Sequence, residues 1–177
     1  SQDFLNNFNL PVNKIASAMT TNQEFIERVA REGKPTFIST GMCTYDEIQN
    51  AVDVFSKESC EFILMHTNSE YPSREEKLNL NVISTLKNKF NCNVGYSGHE
   101  PSVSPSLVAA TIGAVSIERH VTLDRSMYGS DQAASLEYVG LKNLISTIRK
   151  LNYILGNGEK EITDKEHAVA KKLRYWE

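Results

Sequence analysis

The chain has 177 residues, of which 40% are hydrophobic, so it is long enough to bury the core of one globular domain. Its formal net charge is −3, and its lysines and arginines are scattered among acids, which argues against nucleic acid as a partner. No apolar run approaches the roughly 20 residues of a membrane-spanning helix, and no signal peptide pattern opens the chain, so we expect a cytoplasmic protein that does not contact the membrane.

Five short apolar runs, rich in β-branched residues, are predicted to form strands. They cover residues 12–16, 36–39, 62–65, 93–96 and 114–117. The runs show no alternation of apolar and polar residues, which is typical of parallel strands buried on both faces. Segments of helical period separate them, including residues 23–31 and 47–55. The sequence therefore predicts a right-handed series of β/α units.

The starts of two helices carry the pattern of a capping box. Thr44 precedes Glu47 by three residues, and Thr21 precedes Glu24 by the same spacing. Each pair predicts a helix that begins directly after a loop at the end of a strand. A longer amphipathic helix is predicted over residues 135–155.

The number of strands bears on the fold class. A closed (β/α)8 barrel takes about 250 residues, and an open doubly wound sheet would more often carry a glycine-rich phosphate loop, which this sequence lacks. We predict an α/β fold of the (β/α)8 TIM-barrel type with about five of its eight units present. Residues 1–155 would form this partial barrel from its later strands, with three units missing on the N-terminal side. Residues 156–177 would be a charged tail with a short helix packed on the outside.

Histidines follow the predicted strands, at the C-terminal end of the barrel, where the active sites of such barrels lie. His99 and His120 follow successive strands by a comparable distance. Two imidazoles that converge can bind one divalent ion and leave positions for water and substrate, whereas the alternative is a pair of hydrogen-bonded rim histidines. His66 comes earlier relative to its strand, so we predict a structural role. His167 lies in the charged tail and is expected to be solvated.

Lys14 lies in an otherwise apolar strand, where an ammonium needs an anion or a carboxylate nearby. Together with Ser17, Ser69 and Ser97 it could bind a phosphate. Two alternatives stay open, a Schiff-base lysine of an aldolase and an ion pair with Glu118 across the barrel.

Two further acids come close to His120 in the sequence. Glu118 precedes it by two residues and therefore shares its strand face, as a base or as an orienting group. Asp131 lies in residues 122–137, a polar stretch that is long for a βα loop and is expected to contact substrate. A helix cap is the alternative role for Asp131, although Ser135 is better placed for it.

These motifs, taken together, resemble the sialic acid synthase (N-acetylneuraminate synthase) family, which condenses phosphoenolpyruvate with an N-acyl amino sugar. The resemblance extends over residues 11–155. It depends on several motifs in order: KIAS at Lys14, ISTGM at Ile38, HTNSEYP at His66, VGYSGHE at Val94, IERHVTLDRSMYGSDQAASLE at Ile117, and a closing IRKLNYILG.

The resemblance implies that Lys14, Ser17, Ser69 and Ser97 contact phosphoenolpyruvate. Ser69 stands where many relatives have asparagine. A second departure is Gly98, where relatives often have aspartate, and it puts the support of the neighbouring histidine in doubt.

The resemblance also implies that His99 and His120 bind Mn²⁺ or Mg²⁺. Glu118 would lie beside phosphoenolpyruvate and the metal and, together with the strand lysine, would be catalytic. Tyr71 and Asp131 would bind the open-chain sugar. The ion would polarise the sugar aldehyde, the enol carbon would attack it, and water would add before phosphate leaves.

The resulting hypothesis is a synthase for a nonulosonic acid such as sialic acid, acting on phosphoenolpyruvate and an amino sugar of the N-acetylmannosamine type, as a homodimer. The alternatives are a metal- or lysine-dependent barrel aldolase and a non-catalytic partial barrel whose open strand edges need a partner. The C-terminal antifreeze-like domain of many relatives is not expected in residues 156–177. The sequence leaves open which amino sugar is used and which metal is native.

Overall fold

Five strands form one sheet, in which each strand pairs in parallel with the next along the chain. This computed structural model describes residues 2–176. The strands are β1 (Asn13–Ile15), β2 (Thr36–Ser39), β3 (Phe62–Thr67), β4 (Val94–Gly98) and β5 (Ile117–Arg119). The order β1-β2-β3-β4-β5 is that of neighbouring strands in a β/α barrel, because a doubly wound sheet reverses its order at a switch point.

Helices connect successive strands and continue beyond the last one. They are α1 (Gln2–Leu5), α2 (Gln23–Ala30), α3 (Tyr45–Lys57), α4 (Val82–Phe90), α5 (Ser104–Thr111), α6 (Tyr138–Ile148), α7 (Leu151–Leu155) and α8 (Asp164–Leu173). The tail helix α8 forms as predicted, and none of its side chains is fully buried, so its packing on the outside of the barrel stays a prediction. No helix in the described part of the chain has the length and apolarity to cross a membrane.

The core lies between the sheet and the connecting helices. Ile15 pairs in register with Ile38, Ile38 with Leu64, and Leu64 with Val94. All four side chains are buried and form an apolar row across the strands, against which residues such as Phe55 of α3 pack. Since side chains alternate along a strand, the intervening residues project to the other face of the sheet.

One of the two predicted capping boxes is present. The Thr44 hydroxyl accepts a hydrogen bond from the Glu47 amide, and the Glu47 carboxylate accepts one from the Thr44 amide at 2.7 Å. The box at Thr21 is wrong, because α2 is capped one residue later by Asn22, whose side chain accepts a hydrogen bond from the amide of Phe25 at 3.1 Å. An asparagine side chain in extended backbone caps a helix at least as well as threonine.

The single helix predicted over residues 135–155 is also wrong at its start and in its middle. The Leu136 amide donates to the carbonyl of His120 at 2.8 Å, so this segment joins the strand ends and α6 begins only at Tyr138. A turn at Arg149 and Lys150 then separates α6 from α7. The fifth strand likewise begins later than the apolar run 114–117 predicts, at Ile117, and includes polar residues with partners on both faces.

Candidate active site

A pocket of about 360 Å³ lies at the C-terminal ends of the strands. It contains every predicted site residue except Asp131. Its lining residues are Lys14, Ala16, Ser17, Ala18, Ser39, Met42, Thr67, Ser69, Tyr71, Ser97, His99, Glu118 and His120. The parallel arrangement brings these residues together, because the carboxyl ends of all five strands meet at one edge of the sheet.

Lys14 reaches across the pocket from β1 to β5. Its ammonium donates a hydrogen bond to Ser39 Oγ at 2.8 Å and lies 3.4 Å from Glu118 Oε1. Glu118 Oε1 also accepts a hydrogen bond from Ser97 Oγ at 2.8 Å. β1 and β5 are the two outer strands of the sheet, so this contact shows that the sheet curls until its far strands face each other. The ion pair that the sequence left as an alternative is therefore present.

Two serine hydroxyls converge above Gly41, directly after β2. A Cβ added at Gly41 would lie 2.2 Å from Ser69 Oγ and 2.8 Å from Ser17 Oγ. Both distances are below van der Waals contact, so the absence of a side chain at Gly41 lets the two hydroxyls lie together against its backbone, in a polar corner of the pocket that we call the recess above Gly41. Hydroxyl donors that line the same pocket as the Lys14 ammonium suit an anion such as a phosphate or carboxylate.

The two predicted metal ligands are neighbours, with ring centroids 5.2 Å apart. His99 Nδ1 lies 2.7 Å from the carbonyl oxygen of Asn68, which can only accept, so this nitrogen must carry a proton. The lone pair of His99 is then on Nε2, where it accepts a hydrogen bond from the Tyr71 hydroxyl at 2.9 Å. Burial lowers the pKa of His99, which favours the neutral ring. This is the tautomer that a metal-binding histidine adopts.

Tyr71 and Asp131 complete the rim around the histidines. The Tyr71 ring stacks on His99 with centroids 4.0 Å apart and meets His120 edge-on at 5.6 Å. Burial and the nearby carboxylates of Asp131 and Glu118 raise the pKa of Tyr71, so its hydroxyl keeps its proton. Asp131 Oδ2 lies 3.5 Å from His120 Nδ1, which places Asp131 at the rim although it does not line the pocket.

The donor set determines which metal chemistry the rim could support. Within residues 2–176, no group of three or more histidines, cysteines or acids is arranged to hold a metal ion. His99 and His120 supply two imidazole nitrogens, and a divalent ion held by them would complete its coordination with water or substrate oxygens. The chemistry of the two donors fits such a catalytic ion.

Two histidines lie outside the pocket, as predicted. His66 Nε2 donates a hydrogen bond to the Leu78 carbonyl at 2.7 Å, and burial lowers its pKa, which confirms a structural role. His167 is exposed on α8. Sequence reasoning did not assign Ser39, although it follows Phe37, the register partner of Lys14, by two residues and therefore shares the lysine's face of the sheet.

The model of the NeuB family matches residues 1–160 of the chain. The chain belongs to the NeuB family. It is 37% identical to N,N'-diacetyllegionaminic acid synthase of Campylobacter jejuni over 94% of its own length and 51% of that protein. It is 36% identical to human N-acetylneuraminate-9-phosphate synthase over 97% of its own length and 48% of that protein. The predicted family is thereby confirmed.

A solved structure confirms the fold class. The chain matches an N-acetylneuraminic acid synthetase from Leptospira borgpetersenii, crystallised with citrate, with a TM-score of 0.84 and 34% identity. The match covers 98% of this chain and 62% of that one. The chain therefore has the fold of part of a β/α barrel and spans about half the length of the curated NeuB relatives that it matches.

Proposed function

We propose that the chain carries the reactive face of a synthase that condenses phosphoenolpyruvate with an N-acyl amino sugar of the N-acetylmannosamine type. The product would be a nonulosonic acid such as sialic acid, with release of phosphate. The observation that supports this best is the recess above Gly41, because it lies in the same pocket as the imidazoles of His99 and His120. The names of the NeuB relatives, which are sugar-acid synthases, agree with this proposal.

Phosphoenolpyruvate would bind through the recess and the lysine beside it. Ser17 and Ser69 would donate hydrogen bonds to the phosphate, and the Lys14 ammonium would neutralise part of its charge. Ser97, whose hydroxyl contacts Glu118, lies further along the same pocket and would contact the carboxylate end.

His99 and His120 would hold Mn²⁺ or Mg²⁺, and the bound ion would act as a Lewis acid toward the aldehyde oxygen of the open-chain sugar. Tyr71 and Asp131 border the same rim and would hydrogen-bond the sugar hydroxyls. Tyr71 offers a protonated hydroxyl as a donor, whereas Asp131 offers carboxylate oxygens as acceptors.

The reaction forms a carbon–carbon bond and a carbon–oxygen bond to water, and it breaks the carbon–oxygen bond to phosphate. C3 of phosphoenolpyruvate attacks the aldehyde carbon, whose oxygen takes up a proton to become a hydroxyl. The electron deficit at C2 is filled by water, which loses a proton. Glu118 is the acceptor that we propose for this proton, because its carboxylate projects into the pocket beside Lys14. Phosphate then leaves from C2 as the C2 hydroxyl loses its proton and becomes the ketone, and Lys14 and the serines would stabilise the charge of the phosphate until it dissociates.

A lysine-dependent aldolase is the competing reaction. The contacts of Lys14 are those of a cation, one with a hydroxyl oxygen and one with a carboxylate. These contacts favour binding of an anion over attack on a carbonyl carbon. Trapping of a Lys14 adduct with pyruvate and borohydride would support the aldolase and contradict the synthase.

The test of the proposed function is phosphate release from phosphoenolpyruvate in the presence of N-acetylmannosamine and Mn²⁺. We would measure it with the 177-residue chain and with the same chain extended by three β/α units on its N-terminal side. His99→Ala and His120→Ala are expected to abolish turnover and its dependence on metal. His167→Ala, which changes an exposed histidine on α8, is the matched control.

If His99→Ala and His120→Ala both left turnover and metal dependence unchanged, the assignment of the metal would be wrong. If neither form of the chain released phosphate, the synthase proposal itself would fail.

We also propose that the protein is a homodimer. Sedimentation equilibrium would test this by a mass of twice that of one chain.

A further inference from the structure

A buried ion pair lies directly behind the two histidines of the rim. Arg119 Nη1 is 3.0 Å from Glu100 Oε1, and the two side chains are only 2% and 0% exposed. Glu100 follows His99 in the chain, and Arg119 precedes His120. The pair therefore joins the ends of β4 and β5 at the points from which the imidazoles project.

Hydrogen bonds hold this ion pair in place from several directions. The Tyr96 hydroxyl donates to Glu100 Oε2 at 2.7 Å, and Arg119 Nη1 donates to the Ser102 carbonyl at 2.8 Å and to Ser106 Oγ at 3.0 Å. Arg119 Nη2 also donates to the backbone carbonyl of Glu100. The network thus connects β4, β5 and the start of α5 in a single fixed geometry.

The ion pair is not explained well by stability alone. Removing two charges from water costs several kcal/mol per ion, so a buried pair is often no more stabilising than apolar side chains of the same size. Arg119 Nε, moreover, is buried without a hydrogen-bond partner in the described part of the chain. What a buried pair can supply is a defined geometry, because its hydrogen bonds are directional whereas apolar contacts are not.

The position of the Glu100 carboxylate depends on Gly98. A Cβ added at Gly98 would lie 2.7 Å and 2.8 Å from the two carboxylate oxygens of Glu100, and 2.7 Å from a ring carbon of Tyr96. The carboxylate therefore lies against the backbone of β4, in the space that a side chain at residue 98 would enter.

We propose that Glu100 and Arg119 are positioning residues, which fix the separation and orientation of the His99 and His120 rings from the opposite face of the sheet. Residues 98 and 119 are register partners, so the network acts where β4 and β5 are hydrogen-bonded to each other. Alternation of side chains places the histidines on one face and the ion pair on the other. Where the inference concerns metal affinity, it rests on the proposed function.

The first experiment replaces both charges by apolar side chains of similar size, in the double variant Glu100→Leu/Arg119→Met. Such replacements of a buried pair commonly keep the fold, which circular dichroism would check. We expect the Mn²⁺ dissociation constant, measured by electron paramagnetic resonance, to rise at least about tenfold because the rings lose their fixed orientation. The matched control is Glu27→Gln/Arg31→Met, which removes a solvent-accessible ion pair at the C-terminal end of α2.

A second experiment varies the Glu100 carboxylate alone. Glu100→Ala is expected to raise the Mn²⁺ dissociation constant at least about tenfold, whereas Glu100→Gln, which keeps an oxygen for the Arg119 guanidinium, should stay within about threefold of wild type. Equal affinities of folded Glu100→Ala and Glu100→Gln for Mn²⁺ would overturn the proposal, as would unchanged affinity in a folded Glu100→Leu/Arg119→Met chain.

The state of the His99 ring in the metal-free protein gives a readout independent of metal. Imidazole nitrogen resonances should show the Nδ1–H tautomer in wild type and a mixture of tautomers in Glu100→Leu/Arg119→Met, because a ring that loses its orientation also loses the hydrogen bond to the Asn68 carbonyl that selects this tautomer. If the wild-type chain did not bind Mn²⁺, the metal assignment would fail, and the His99 tautomer would then decide the positioning role by itself. The same tautomer in both proteins would contradict that role.

Discussion

The recess above Gly41 leads to a quantitative prediction for Gly41→Ala. A methyl group at this position would lie 2.2 Å from Ser69 Oγ and 2.8 Å from Ser17 Oγ, so both hydroxyls must rotate or shift away. The backbone of Gly41 is not in the left-handed region, so alanine itself is tolerated there. A hydrogen bond to a charged group contributes about 1.5–3 kcal/mol, and losing one such bond weakens binding by roughly 10- to 100-fold.

Isothermal titration of phosphoenolpyruvate, and separately of inorganic phosphate, into wild type and Gly41→Ala would measure this loss. Gly140→Ala is the matched control, because its added methyl group meets only ordinary contacts at 3.8 Å on α6. That control is expected to stabilise the helix by up to about 1 kcal/mol and to leave binding unchanged. Equal affinity of Gly41→Ala and wild type for both anions would refute the assignment of the recess.

Three further predictions concern single side chains. Lys14→Met should weaken phosphate binding at least about tenfold and reduce its dependence on salt, as measured by titration at two ionic strengths; unchanged affinity would limit Lys14 to its ion pair with Glu118. Burial lowers the pKa of His66 below its usual 6.5, so at a pH just below 6.5 the unfolded chain binds a proton that the folded chain does not. The free energy of unfolding should therefore fall as the pH decreases below 6.5. His66 contributes at most about 1.4 kcal/mol per pH unit to this fall. His66→Gln keeps a donor to the Leu78 carbonyl and should flatten this dependence in urea titrations; an identical slope would contradict the argument. Thr44→Ala should lower the free energy of unfolding by about 0.5–2 kcal/mol without affecting phosphate binding, and an equal stability would mean that the capping box contributes nothing.

The fold could be predicted well where one local signal dominated. The apolar runs predicted the first four strands because continuous apolar runs are typical of parallel strands buried on both faces, and Thr44 with Glu47 predicted the start of α3. The fifth run, residues 114–117, overlaps β5 only at Ile117. The errors arose where long-range pairing overrode local propensity. Leu136 reads as part of a helix, but its amide bonds to the His120 carbonyl at the end of β5, and no local pattern shows that pairing.

The sequence predicted which residues line the candidate site more completely than it predicted their hydrogen-bond partners. Strand-end position identified His99 and His120, since parallel topology brings strand ends together whatever the loop lengths, and Lys14 was identified as a charged residue inside an apolar strand. The partners were less predictable, because the carbonyl of Asn68 that fixes the His99 tautomer and the recess above Gly41 depend on loop geometry. A backbone carbonyl carries no sequence signal at all.

Because the strands pair in consecutive order, the residues that line this pocket come from separate segments of the chain. Lys14 comes from β1, Ser39 from β2, Ser69 from the segment after β3, and His99 and His120 from the segments after β4 and β5. Exchange of one strand-end segment with that of a relative would therefore alter the proposed contacts from that segment and leave those from the other four in place. The apolar row that packs against the helices lies on the opposite face of the sheet, so such an exchange would leave that row unchanged.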